Sequence, residues 1–323
     1  MASATTVLAS TVGLSLEDWL AARRLGIGSS DAAAVAGLDP WSSPIKVWLT
    51  KKGAAPDVAQ TEAMEFGHEM EEVVARVFSK RTGYPYRRRN AILQSKDHPC
   101  MIADLDRLTQ DEGGSWVPLE LKTVSAWKAA DWEAEQVPEH YQLQVQHQLI
   151  VTGADHGWLA AVIGGNHLTY TRIEADPDVQ RLLIGIEEDF WALVENDTPP
   201  EVDGAPSTTD LLKALYAEGD PGKSIIVSDT WRETVRNYWA LSAQIKALEE
   251  QKAAIQNVFR STMKESETIF VGDSAVPIAT YRAGSKLGFN TDLFRMQNPS
   301  LYEQYCTKPP SRTLRIGKLK EEK

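Results

Sequence analysis

The chain has 323 residues, 42% hydrophobic and 24% charged, the mix of a water-soluble globular protein with one large domain or two ordinary ones. No apolar run reaches the roughly 20 residues that a membrane span needs. The formal net charge of −11 argues against a nonspecific polyanion-binding surface over the whole molecule, while leaving room for one local basic channel. Residues 1–13 lack the basic start and apolar core of a signal peptide, and Cys100 and Cys306 show no metal spacing, so a reduced cytoplasmic setting is expected.

In chain order, Ser15 caps a short helix to Arg24. Gly26 to Asp31 is a loop, and Asp31 to Ala36 opens a second helix. An amphipathic helix covers Ile45 to Lys52, residues 53–61 are a linker, and Ala63 to Thr82 is a longer helix stopped by Gly83. Tyr84 to Leu93 alternates as a strand. Ile102 to Leu108 and Val117 to Lys122 read as two buried strands joined by the turn residues Gln110 to Ser115, hence a hairpin. Helices are expected over Ser125 to Gln136 and Pro138 to Val151. A hairpin around Gly164-Gly165-Asn166 follows, then a helix from Pro177 to Glu195. The class is α/β: a short mixed sheet flanked by helices, filling residues 14–200. Residues 201–323 are a helical extension. It holds a long helix, Asp229 to Met263, whose apolar stripe of Trp231, Val235, Tyr238, Leu241, Ile245, Leu248 and Ile255 suits packing against the main domain or another subunit. A small hairpin, Ile269 to Arg282, and a helical segment, Phe289 to Tyr305, follow it.

The chemistry concentrates at Asp106 and Glu120-Leu121-Lys122. Alternation puts Glu120 and Lys122 on one face of a strand. Buried carboxylates are costly unless compensated, so two together invite a cation such as Mg²⁺. The same spacing also fits a surface hairpin with a salt bridge. Glu71 lies at the edge of the apolar face of its helix, alongside Glu69 and Glu72, and a solvated acidic face is the alternative. His68-Glu69 begins like a zinc-protease helix, but Glu72 stands where the second histidine is required. Tyr141 to Gln148 carries four glutamines, of which Gln144 can hydrogen-bond a water or a phosphate oxygen. His140 and His147 could share a metal, without an evident third ligand. Arg23-Arg24 followed by Gly26-Ile27-Gly28-Ser29-Ser30-Asp31 suits a phosphate. It follows a helix, so the dinucleotide-loop context fails. Arg87-Arg88-Arg89 and Lys51-Lys52 read as solvated basic groups.

Taken in order, Gly26 to Ala33, Phe66 to Glu71, Ala103 to Asp106, Leu119 to Thr123 and Tyr141 to Leu149 resemble the YqaJ family of phage recombination nucleases. That family is related to lambda exonuclease within the PD-(D/E)XK superfamily. The resemblance spans about residues 20–152, with a less specific likeness after Pro200. It implies a 5′-to-3′ exonuclease on linear double-stranded DNA that releases 5′-mononucleotides and leaves 3′ overhangs for a single-strand annealing protein. It also implies a homotrimeric ring, which would reconcile −11 with DNA through an acidic exterior and a basic lumen.

By position, the resemblance gives Asp106, Glu120 and the Leu121 carbonyl to Mg²⁺, two ions in number, with Mn²⁺ as a substitute. Lys122 positions or deprotonates the attacking water. Glu71 supports the second metal or its water, and Gln144 contacts the scissile region. Arg24 and Ser30 match the 5′-phosphate pocket, with Ser29 and Gln146 as further candidates. Compared with lambda exonuclease, the loop from Asp106 to Glu120 is longer, the Arg24-to-Ser30 match needs a one-residue gap, and the C-terminal third has no counterpart. Asp104 replaces a phosphate-contacting serine and so becomes a further metal candidate. Two Mg²⁺ about 3.5–4 Å apart can activate water and stabilise a leaving oxygen, and neighbouring metals would lower the pKa of Lys122. A restriction-like or repair endonuclease on the same fold, or an inactive DNA-end-binding module, are the competing readings.

Overall fold

The computed structural model describes residues 4–55, 61–306 and 312–319. The chain forms two compact units, Met1–Tyr216 and Ala217–Lys323. The Pro200 boundary expected from composition therefore falls inside the first unit.

In the first unit, β1 (Thr5–Ser10) precedes α1 (Leu16–Arg23), β2 (Ile27–Gly28), α2 (Ala32–Val35), α3 (Pro44–Lys51) and α4 (Glu62–Thr82). Then come β3 (Tyr86–Arg87), β4 (Ala91–Ser95), β5 (Met101–Asp104), β6 (Arg107–Gln110) and β7 (Trp116–Val124). A 3-10 segment over Ala126–Glu135 leads to α5 (Glu139–Thr152), β8 (His156–Ile163), β9 (His167–Glu174), α6 (Pro177–Glu195) and α7 (Pro206–Leu215). The caps follow the expected chemistry. Ser15 accepts from the Asp18 amide, Thr61 caps α4, and Gly83 ends α4 at φ +80°, a left-handed conformation suited to glycine.

Two sheets result. The larger is mixed, in the order β3-β6-β7-β8-β9, with β7 and β8 parallel and the other pairs antiparallel. Helix α4 covers one face through Val74, Ala75 and Phe78 against Leu119, Leu121, Ala160 and Val162. Helix α5 covers the other through Val145 and Leu149 against Leu159, Ala161 and Ile163. The α5 segment is thus the helical crossover that a parallel β7–β8 pair requires. The smaller sheet runs β1-β4-β5-β2. Gly26 precedes β2 where a Cβ would lie 2.7 Å from the Cys100 carbonyl, so only glycine allows β2 to pair with β5 there.

Two expected strands are each divided between the sheets. Tyr84–Leu93 breaks into β3 and β4 around Asn90, whose φ is +49°. Ile102–Leu108 breaks at Leu105-Asp106 into β5 and β6. The hairpin with β7 therefore begins only at Arg107. The N-terminal Thr5–Ser10, apolar and β-branched, is an edge strand on β4 that sequence patterning does not single out.

The second unit holds α8 (Trp231–Met263), β10 (Thr268–Ile269), β11 (Ala279–Thr280), α9 (Thr291–Gln297) and α10 (Pro299–Tyr305). The expected hairpin reduces to the short β10–β11 pair. Along α8, Trp231, Tyr238, Leu241, Ile245, Leu248 and Ile255 are exposed, so the stripe expected to be packed is not covered within its own unit.

Candidate metal and phosphate site

Strand β7 sets the site. Alternation sends Leu119 and Leu121 into the α4 core and turns Glu120 and Lys122 towards α5. Glu120 is 2% exposed, and all its bonds are to named donors. Its Oε1 accepts from Gln144 Nε2 at 2.6 Å and pairs with Lys122 Nζ at 2.7 Å. Its Oε2 accepts from Gln148 Nε2 at 2.6 Å. Gln144 and Gln148 are one helical turn apart on α5, hence on one face. Gln148, fully buried, is a site residue that patterning left among four similar glutamines. The signal for it was the i, i+4 spacing from Gln144.

Asp106 sits in the break between β5 and β6, where its Oδ2 accepts from the Leu121 amide at 2.8 Å. Burial and the nearby Glu120 carboxylate push the Asp106 carboxyl well above its ordinary range, with Glu71 adding and Lys122 opposing. Burial pulls the Lys122 ammonium down, but Glu120 and Asp106 outweigh it and hold its pKa above the usual lysine value. The charges around Lys122 here are carboxylates. The Lys122 Nζ also lies 4.9 Å from the Tyr141 ring centre.

Glu71 reaches the same corner from α4. Its Oε2 lies 3.2 Å from Arg107 Nη1 and its Oε1 3.2 Å from His68 Nδ1. Arg107 is the second residue that sequence reasoning missed. It is 3% exposed, pairs with Glu72 at 3.1 Å, and donates to the Asp106 carbonyl at 2.6 Å. One guanidinium thus ties two α4 acids to the Asp106 corner. The signal was the one cation in the segment Ile102–Leu108.

Among the described residues no group of three His, Cys, Asp or Glu side chains forms a ready-made metal cage. The donor set nevertheless suits Mg²⁺, which keeps several waters and takes one or two carboxylates plus substrate phosphate oxygens. Burial and the Glu120 carboxylate raise the cost of ionising Asp106, a cost that a divalent cation relieves. A strand residue's N–H and C=O leave the same edge, so the Leu121 carbonyl faces the Asp106 side with its amide.

The front loop is built on Arg23 rather than Arg24. Arg23 Nη2 donates to Ser30 Oγ at 2.7 Å, and its guanidinium stacks 4.8 Å from the Trp19 ring centre. Arg24 is exposed and turned towards Gly53. Trp19 also donates to Asp104 Oδ2 at 2.8 Å, so Asp104 is engaged by α1. Ser29 is buried. Asp31 accepts from the Gly28 amide and pairs with Lys51 at 2.6 Å. Lys51, expected to be solvated, is 8% exposed and also donates to the Arg23 carbonyl.

Gln146 points elsewhere. It bonds the Glu174 carbonyl, the Asp176 amide and Gln180. It lines a recess of about 720 Å³ with Gln142, Arg172 and Glu174, and neither Asp106, Glu120 nor Lys122 lines that recess. His140 and His147 do not share a metal. Both His147 nitrogens are taken, by Glu187 at 2.8 Å and by the Ile102 carbonyl at 2.9 Å.

The protein YqaJ of Bacillus subtilis (strain 168), itself described as uncharacterized, is 34% identical over 305 residues, covering 92% of this chain and 93% of its own length. The chain belongs to the YqaJ family. The YqaJ-like viral recombinase domain model matches residues 18–155. In this YqaJ-family chain, that segment contains Trp19, Arg23, Ser30, Glu71, Asp106, Arg107, Glu120, Lys122, Gln144 and Gln148. Among solved structures, LHK-Exo in complex with dAMP aligns at 19% identity over 62% of this chain and 98% of its own, with a TM-score of 0.48. The alkaline exonuclease LHK-Exo from Laribacter hongkongensis aligns at 21% identity over 56% of this chain and 93% of its own, with a TM-score of 0.46.

Proposed function

We propose that the protein is a Mg²⁺-dependent 5′-to-3′ exonuclease on linear double-stranded DNA, releasing 5′-mononucleotides and leaving 3′ overhangs for an annealing protein. The observation that carries this reading is the buried Glu120, gripped at both oxygens by Gln144 and Gln148 and paired with Lys122, beside an Asp106 that resists ionisation. Such a pair is expensive to keep in a fold unless it holds a cation.

Asp106, Glu120 and the Leu121 carbonyl would hold Mg²⁺, and Mn²⁺ would substitute. Bound there, the ion supplies Lewis-acid stabilisation of the phosphate and a water of lowered pKa. The chain's own groups do the rest. Lys122, kept as an ammonium by its two carboxylate neighbours, donates a hydrogen bond and so orients the attacking water. Gln144 and Gln148 fix the Glu120 carboxylate in one rotamer. Glu71, held by Arg107, completes the acidic wall. Arg23 and Ser30 offer a cation and a hydroxyl to the 5′-phosphate, which gives the site its direction. Homotrimer formation in a bacterial cytoplasm belongs to the same reading, by the resemblance to ring-shaped phage exonucleases.

The test uses 5′-phosphorylated linear duplex, closed circular duplex and an unlabelled competitor. Mononucleotides should appear from 5′ ends with Mg²⁺ and not with EDTA, and Lys122→Ala should lower the rate by about 10²–10⁴-fold while DNA is still bound. Cleavage of closed circles would establish an endonuclease instead. Binding of ends without hydrolysis in any divalent ion would leave an inactive end-binding module.

A further inference from the structure

Trp41 is 54% exposed, yet it stands at the outer end of a ladder of rings that leads to Lys122. Its indole meets His140 edge-on, with ring centres 5.0 Å apart at 87°. His140 lies 4.1 Å from the Tyr141 ring, and Tyr141 lies 4.9 Å from Lys122 Nζ. The turn that presents Trp41 is fixed. Asp39 Oδ1 accepts from the amides of Trp41 at 2.6 Å and Ser42 at 2.8 Å. Cations flank the ladder: Lys46 reaches the Trp41 carbonyl at 3.5 Å, and Lys128 acts on His140 together with Lys122. Burial first, then these lysines, holds the His140 pKa down, with Asp39 and Asp131 opposing. His140 Nε2 is buried with no protein partner.

Leaving an indole in water on a rigid turn forgoes its burial, which is worth more for tryptophan than for most side chains. Asp39 at the turn and Asp131, which pairs with Lys128 at 3.7 Å, lie here too, but an exposed aromatic face with lysines beside it, next to the candidate metal site, is a composition that suits single-stranded nucleic acid. Bases stack on rings while the phosphates meet the cations.

Resting on the nuclease reading, we propose that Trp41, backed by His140, is a stacking platform for a nucleobase of the strand whose phosphate reaches Glu120 and Lys122. The ligand class is an unpaired base at a frayed DNA end. Stacking there would draw the terminal nucleotide out of the duplex and align its phosphate with the carboxylates.

The experiment measures binding of a 5′-phosphorylated duplex carrying 2-aminopurine in its terminal nucleotides, with Ca²⁺ in place of Mg²⁺. The full chain is compared with Trp41→Ala and Trp41→Phe. The wild-type chain should quench 2-aminopurine and Trp41→Ala should not. Trp41→Ala should bind about five- to a hundred-fold more weakly, and Trp41→Phe should keep most of the affinity. Replacing the terminal nucleotides with abasic ones should erase the difference between Trp41→Ala and wild type. Equal binding by Trp41→Ala, or an equal loss on abasic ends, overturns the stacking role. A change in oligomeric mass without a change in DNA binding also overturns it and makes Trp41 a subunit contact. If Trp41→Ala is indistinguishable while the wild type still cuts, the nuclease reading stands alone; if the wild type neither binds nor cuts DNA, both fall.

Discussion

The 2.7 Å bond between Arg23 and Ser30 favours Arg23 over its neighbour Arg24 as the arginine that would meet a 5′-phosphate at the front loop. Arg23 is stacked on Trp19 and already aimed at the hydroxyl, whereas Arg24 is exposed on the other side of the turn. A charge-assisted hydrogen bond is worth about 1.5–3 kcal/mol. Arg23→Ala should therefore lower the preference for 5′-phosphate over 5′-hydroxyl ends by about 10- to 100-fold, and Arg24→Ala should leave the ratio unchanged. Initial rates on the two end types measure both. Gln148 makes a second case at this scale. Its amide is one of the donors that make a buried Glu120 tolerable, and Gln148→Leu leaves Glu120 Oε2 with none in the protein. We expect a loss of about 1–3 kcal/mol in stability, read from the urea midpoint, together with slower cleavage. A variant as stable and as active as wild type would show that Gln148 is not part of the site.

Helix α5 is the element that joins these residues, and it is anchored from behind by a fully buried pair, His147 and Glu187 of α6. The Ile102 carbonyl takes one ring N–H, so a single proton is shared between His147 Nδ1 and Glu187 Oε1. Burial opposes charge on His147 but Glu187 outweighs it and raises the His147 pKa, while burial raises that of Glu187. The His147 direction means that the pair keeps its proton to higher pH than a free histidine, whose value is about 6.5. A raised folded pKa contributes stability that is complete below the unfolded value and lost as pH rises through the folded one. Stability should therefore fall as pH climbs above about 6.5, and Glu187→Gln should flatten that slope while leaving Asp31 and Lys51, the other charged groups facing the pair, in place. Urea midpoints between pH 6 and 9 provide the measurement, and an unchanged slope would reject the assignment. At this scale the sequence was readable where local chemistry decides, as at the Ser15 cap, the Gly83 stop and the β6–β7 turn. It was not readable where one apolar run serves two sheets. Nothing local to Leu105-Asp106 or Asn90 says that the chain changes sheets there, because the decision lies in which partner strand is available. The same limit hid Arg107 and Lys51. A lone cation reads as solvated until a distant acid is known to meet it.

The whole molecule divides its labour unevenly. Among the described residues all four apolar clusters lie in Met1–Tyr216, as does every residue of the candidate site. Among the described residues beyond Tyr216, Met263 is the one buried hydrophobic side chain. Burial of apolar surface is the main favourable term in folding, so the first unit carries what a cooperative transition needs and the second does not. The net charge of −11 is compatible with this arrangement because the site draws on a few local cations, Arg23, Lys46, Lys122 and Lys128, rather than on a basic surface. A fragment of residues 1–216 should therefore melt in a single transition followed by circular dichroism and retain Mg²⁺-dependent cleavage of linear duplex. A fragment of residues 217–323 should show helix content without a sigmoidal melt, since α8 presents its apolar stripe to solvent. If the 1–216 fragment folds but has lost cleavage, the second unit contributes to DNA engagement, and the exposed residues of α8 are where that contribution would be sought by substitution.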